Sequence, residues 1–246
     1  MVEHTQTLST LAAIALLTTA VMAPRVSAQD TGRVLVEGFE NYAVGEAPYH
    51  WKAPNRYSRE LIPSARQPER DDDYFEVVEE DGRRVVRAYT SDETVQIARE
   101  NGDGYTWDIH THPVLAWEWR AERLPKEARE DNRKLNDTGA AVYVLFDCGD
   151  WLGRACTLKY SYSSTLPVGT TVRYGRLHVV VVASAKDGIG TWQRIARNVV
   201  DDYERLFGAK PPAQPRLVIL WSDSDTTHGV SEVYFDTVEV LGGMPP

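Results

Sequence analysis

Short runs of alternating side chains recur along this chain and give way to a helical pattern only once. Cys156 to Ser163 shows the alternation most cleanly. Cys156, Leu158, Tyr160 and Tyr162 fall on one face of an extended segment, and Thr157, Lys159, Ser161 and Ser163 on the other. Pro113 to Arg120 behaves the same way, with Leu115, Trp117 and Trp119 opposite Ala116, Glu118 and Arg120. Ala140 to Asp147 and Leu177 to Ser184 are apolar on both faces, the pattern of central strands. Tyr74 to Glu79 and Arg84 to Thr90 flank Asp81-Gly82, a pair that readily takes the positive-φ hairpin turn. Arg33 to Glu40, Val95 to Arg99, Arg216 to Ser222 and Ser231 to Leu241 complete about nine strands.

Ile195, Val199, Tyr203 and Leu206 recur at spacings of three and four. Asn198 with Asp201 reads as a helix start and Gly208 as its stop, which predicts a helix over about 199–207. In the last strand the apolar parity switches between Val233/Phe235 and Val238/Val240. One extra residue near Asp236-Thr237, a bulge, would re-aim the side chains. Residues 53–73 read as a polar connection, and 121–137 as either a short exposed helix or a loop. With no βαβ rhythm, the expected fold is an all-β antiparallel sandwich, jelly-roll-like, with one short helix near the C-terminus.

Residues 11–24 form an apolar stretch, and Val26-Ser27-Ala28 supplies small residues before Gln29. This is the layout of a signal peptide over 1–28, too short to span a membrane. Met1 to Thr10 carries no Lys or Arg, so an ordinary N-terminal helix is the alternative. The leader reading makes 29–246 a single mature domain, periplasmic or secreted, with no transmembrane span. Cys148 and Cys156 flank a hairpin-like connection and are expected to form a disulfide, with two buried thiols as the alternative. The net charge of −9 comes without a Lys/Arg cluster, so a nucleic-acid partner lacks its electrostatic footprint.

Trp117, Trp119, Tyr160 and Tyr162 either line a sugar-binding groove, flanked by Arg120, or fill the core. His110 and His112 share strand parity, but no third metal ligand is placed beside them or beside His178. Asp223 and Asp225, with Thr227 and Gly229, faintly follow a calcium loop, which fails at His228 and Tyr234. His228 beside Asp225 reads as a surface histidine. Glu118, Asp147, Asp223 and Asp225 are of the type a glycoside hydrolase needs, yet no spacing singles out a pair. Arg120, Gln96, Tyr160, Tyr162 and His178 are of the types a polysaccharide lyase needs.

Several stretches between about 113 and 241 match a bacterial family. They include Trp117-Glu118-Trp119-Arg120, Asn136-Asp137-Thr138-Gly139 and Leu158-Lys159-Tyr160-Ser161-Tyr162-Ser163. Farther on come Trp192, Arg197-Asn198-Val199, Asp223-Ser224-Asp225-Thr226-Thr227 and Tyr234-Phe235-Asp236. As a set they resemble the domain of unknown function 3047 family, which implies an exported domain and carries no activity. Gly38-Phe39-Glu40 with Pro48 and Trp51, and Tyr234-Phe235-Asp236-Thr237-Val238 at the other end, resemble jelly-roll carbohydrate-binding modules. That likeness implies a structural calcium near Glu40 and Asp236, with a solvent-facing Asp236 in a bent strand as the alternative. The expected function is therefore polysaccharide binding across an aromatic face. A lyase or hydrolase on the same scaffold, or a structural envelope protein with all four aromatics in its core, are the alternatives.

Overall fold

Alternation along the strand Val114–Arg123 decides the architecture, because it puts two indoles on one side of a sheet and three charged groups on the other. The computed structural model describes residue 1 and residues 32–54, 61–63, 74–149 and 153–245; the expected leader segment and parts of the 53–73 connection lie outside them. In chain order the strands are β1 (Arg33–Glu37), β2 (Lys52–Pro54), β3 (Leu61–Pro63), β4 (Tyr74–Glu80), β5 (Arg83–Ser91), β6 (Thr94–Glu100) and β7 (Val114–Arg123). They continue as β8 (Ala140–Phe146), β9 (Cys156–Ser163), β10 (Thr171–Tyr174), β11 (Leu177–Ser184) and β12 (Gln193–Asn198). Helix α1 (Val199–Phe207), β13 (Leu217–Asp223) and β14 (Val230–Leu241) close the chain.

Two sheets face each other. The first runs β12-β7-β14-β5-β4, with β1 also paired to β14. The second runs β10-β11-β9-β8-β13-β6-β2-β3. The β-sandwich expected from the sequence is thus present, with one departure from antiparallel pairing. β11 lies parallel to β9, because the chain leaves β9, enters edge strand β10 and turns back through a hairpin. Short strands β2, β3 and β10 fall where the sequence reads as connection, being too short to show a period. The predicted helix spans 199–207. Asn198 Oδ1 accepts from the Val200 and Asp201 N–H groups, and Gly208 ends it at φ 67°. No helix forms over 121–137. β7 runs on to Arg123, and tight turns follow.

The core fills the space between the sheets. Leu115, Trp117, Trp119 and Ala121 of β7 meet Phe235 of β14 and Leu158, Tyr160 and Tyr162 of β9, all fully buried. Ring centroids are 5.5 Å apart for Trp117–Tyr160 and 5.4 Å for Trp119–Tyr162. Tyr203 of α1 packs edge-on against Phe146 at 5.0 Å. After β1, the buried Glu37 carboxylate accepts from the Gly38 and Phe39 N–H groups, from the Tyr42 hydroxyl at 2.6 Å and from the Trp51 indole at 3.3 Å. It organises the chain entry into the sandwich, where a lone buried carboxylate would otherwise be costly. The register of β14 slips between Asp236 and Glu239, with Thr237 at φ 43°: this is the bulge expected from the parity switch. Cys148 and Cys156 are joined as a disulfide.

Candidate functional site

The aromatic platform expected from the sequence is not a surface. Trp117, Trp119, Tyr160 and Tyr162 each have 0% exposure and form the seam between the sheets. The Tyr162 hydroxyl is committed inside, donating to the Gly188 carbonyl at 2.6 Å and accepting from Gln193. Burial raises the Tyr160 phenol well above its usual range, and the nearby Asp202 charge adds to it. The physical reason is simple: in a two-sheet sandwich only one face of each strand reaches solvent, and these residues sit on the other.

Arg120 occupies the opposite side of β7, on the outer face of the first sheet. There it pairs with Glu80 and Glu122 and lies over the rings of Tyr234 at 4.6 Å and Trp192 at 5.3 Å. Arg83 bridges Glu118 and Asp236, both at 2.9 Å, and Arg194 pairs with Glu239. This face is a lattice of matched charges. Asp236, expected with Glu40 to hold a cation, lies on this face. Asp236 is held by Arg83 and by the Thr237 N–H at 2.7 Å, while the Glu40 side chain is exposed in the turn after β1.

His178 is buried at the β11 edge against Phe207, with ring centroids 4.4 Å apart. Burial lowers its pKa, and the Arg173 and Arg205 charges lower it further. His110 and His112 sit in a turn capped by Asp108 and share no strand face. Asp147 is exposed beyond β8. His228 is an exposed histidine whose Nδ1 lies 2.6 Å from Asp92, and that partner raises its pKa.

The outer face of the second sheet is different in kind. Its register sets Lys159, Tyr143, Ile219 and Ala98 in one row across β9, β8, β13 and β6. The next row is Ser161, Ala141, Trp221 and Gln96, and beyond it Asp223 faces Thr94. Tyr143 and Trp221 touch, centroids 5.3 Å apart. Trp221 and Gln96 are half-buried, and the Trp221 indole N–H is turned away from solvent with no acceptor among the described residues.

Polar groups converge on this face. The 124–137 segment folds over its β9 end, where buried Glu130 accepts from the Ser161 and Ser163 hydroxyls. Asp137 anchors the loop after β13, accepting from the Thr226 N–H at 3.0 Å and from the Thr227 N–H and hydroxyl at 2.7 and 2.5 Å. Asp223 Oδ1 accepts from the Thr94 hydroxyl at 2.6 Å. Its acid is pushed up to about 6, chiefly by burial, with Asp225 and Asp137 adding repulsion against the counteracting Thr94 and Lys159.

Lys159 is 3% exposed, its ammonium 5.4 Å from the Tyr143 ring centroid. Burial lowers its pKa, opposed by the charges of Glu130, Asp223 and Asp137. Oxygens of Asp137, Asp223 and Asp225 all lie within 4.8 Å of one another. Among the described residues they are the carboxylates close enough to share a cation.

Of this group, the sequence singled out Gln96, Asp223 and Asp225. It missed Lys159, Tyr143 and Trp221. The available signal was the parity of β9: its polar row already set Lys159 apart from Tyr160.

Comparison with solved structures returns β-sandwich modules of low identity. A family 11 carbohydrate-binding module of the cellulosomal cellulase Lic26A-Cel5E of Clostridium thermocellum is 8% identical, with 87% of this chain and 97% of that one covered and a TM-score of 0.40. A family 30 carbohydrate-binding module of the cellulosomal cellulase Cel9D-Cel44B of the same organism is 9% identical, covering 85% and 96%, with a TM-score of 0.42. An arabinose-bound α-L-arabinofuranosidase, MgGH51, is 9% identical over 86% of this chain and 26% of its own, with a TM-score of 0.43. No curated protein matches the sequence. The family described as "Protein of unknown function (DUF3047)" matches residues 64–239. That span holds Trp117 to Arg120, Asp137, Lys159 and Asp223 to Thr227 in one fold, and the chain belongs to this family.

Proposed function

We propose that this protein binds a carbohydrate chain on the outer face of its second sheet, outside the cytoplasm. Trp221 carries the reading. It is a half-buried indole packed beside Tyr143, ring centroids 5.3 Å apart. An aromatic face suits the C–H face of a pyranose ring. Gln96, Thr94 and Asp223 border the indole on β6 and β13 and supply the mixed donors and acceptors that sugar hydroxyls need. Three carboxylates beside Trp221 favour a neutral glycan over a uronate.

The test is retention in affinity gels containing xylan, mixed-linkage glucan or galactomannan, followed by calorimetry on whichever slows the protein. Trp221→Ala is expected to weaken binding by about tenfold or more, the loss typical of a buried aromatic anchor. Its circular dichroism spectrum should be unchanged. Wild-type protein that binds none of the three, or a folded Trp221→Ala variant that binds as well as wild type, overturns the reading.

A further inference from the structure

We propose that the margin of the sandwich between β11 and β12 is a second carbohydrate site, which takes an acidic sugar residue, a uronate, through its carboxylate. It does not depend on the Trp221 site. Trp221 lies on the outer face of the second sheet, whereas this cleft opens between the core-facing rows of the two sheets.

The cleft encloses about 450 Å³, within the range of small-ligand sites. Strand parity builds its walls. β12 is an edge strand of the first sheet, and its Ile195 and Arg197 pair with Trp117 and Leu115 of β7. Paired residues share a side of the sheet, so Ile195 and Arg197 both stand on the core-facing side. Val180 and Val182, from the core-facing row of β11, form the opposite wall. Val168, 53% exposed, sits at the rim, and Arg205 of α1 also lines the cleft.

Arg197 is the unusual member. A guanidinium in a core-facing row is costly unless it is matched. Buried Asp202 matches it, accepting from Arg197 Nε at 2.9 Å and from Nη2 at 2.7 Å. Arg205 Nη2 then donates to the same carboxylate at 2.8 Å, so two guanidinium charges share one anion. One positive charge is left over, in a chain whose net charge is −9. Arg194 at the rim differs, because Glu239 and Glu118 hold it. The same positive field reaches His178 on β11, whose acid is lowered by burial and further by Arg173 and Arg205.

Arg197 Nη1 and Arg205 Nε and Nη1 have no acceptor among the described residues. A guanidinium presents planar N–H pairs that match the two oxygens of a carboxylate. The valine and isoleucine walls suit the C–H face of the ring that carries it. An inorganic anion would have no use for those walls, and a neutral sugar would leave the extra charge unanswered.

The experiment is calorimetry of the whole protein with polygalacturonate and with alginate at about 0.15 M salt, where charges beyond about 8 Å are largely screened. Two controls separate the chemistry. Fully methyl-esterified polygalacturonate keeps the backbone without the charge, and dextran sulfate keeps charge without a carboxylate. Wild type should bind at least one of the acidic sugar polymers and neither control. Arg205→Gln should weaken that binding about tenfold or more, the loss of one charge-assisted hydrogen bond. Val168→Glu, at an exposed rim position, should weaken it to a similar degree by repulsion while removing no core contact. Trp221→Ala should leave it unchanged.

Wild type that binds neither acidic polymer overturns the inference, as does equal binding of either control. Undiminished binding by a folded Arg205→Gln or Val168→Glu variant overturns it too. So does loss of binding in folded Trp221→Ala protein, which would put the uronate on the outer face. Failure of xylan, mixed-linkage glucan and galactomannan to bind sinks the reading of the outer face and leaves this one standing.

Discussion

Replacing Asp223 by Asn should stabilise the protein at neutral pH and do almost nothing in acid. The buried carboxyl is raised from 3.8 to about 6 in the folded protein. An acid whose folded pKa exceeds its unfolded one binds its proton more tightly in the native state. The unfolded chain therefore gains from ionisation first, and stability falls as pH climbs from about 4 to about 6, then stays low. A shift of this size corresponds to about 3 kcal/mol above pH 6 at 1.36 kcal/mol per unit, shrinking to about 0.5 kcal/mol at pH 4. Asparagine keeps the shape and an oxygen to accept from Thr94, so the variant sheds the ionisation cost without opening a void.

For a domain of this size about 2 to 4 °C of melting temperature accompanies each kcal/mol. Thermal melts followed by circular dichroism at constant ionic strength should place the variant roughly 5 to 10 °C above wild type at pH 8 and within about 2 °C of it at pH 4. An equal offset at both pH values, or a less stable variant at pH 8, would refute the argument that burial and carboxylate repulsion set the state of Asp223.

Trp117→Ala should cost about 3 to 5 kcal/mol in urea unfolding, because it empties the seam between the sheets; a loss under about 1 kcal/mol would mean the indole is not packed as described. Protein isolated from the periplasm or medium of the native host should begin at Gln29 by mass spectrometry, whereas an intact Met1 start in cytosolic material would sink the export reading.

Strand parity made much of the fold legible. It separated Cys156, Leu158, Tyr160 and Tyr162 from the row of Lys159, Ser161 and Ser163, and the structure keeps that division. Asp81-Gly82 turns as expected, with φ of 52° and 74°, and α1 begins and ends at its signalled caps. Parity does not say which face points inward. The bulky aromatic row of β9, which could line a groove or fill the core, is core, and Ser161 and Ser163 of its polar row donate to Glu130 of the 124–137 segment.

The candidate site hid for two further reasons. Tyr143 lies in a strand that is apolar on both faces, so nothing marked one face as outer. The other members are far apart in sequence, and register alone brings Thr94 to Asp223 and Lys159 to Tyr143. A carboxylate pair has no fixed sequence spacing when it is formed by a strand end and the loop that follows it.

The position of β14 sets the order in which this chain can become a protein. It is the last strand made, yet it lies inside the first sheet, with β7 on one side, β5 on the other and β1 paired along its C-terminal half. Until Val230 to Leu241 leaves the ribosome, β7 and β5 have nothing between them and β1 has no partner strand. A nascent chain stopped short of Val230 keeps its indole pair without the Phe235 ring that packs beside Trp119. The first sheet can therefore close only once Val230 to Leu241 is available to it.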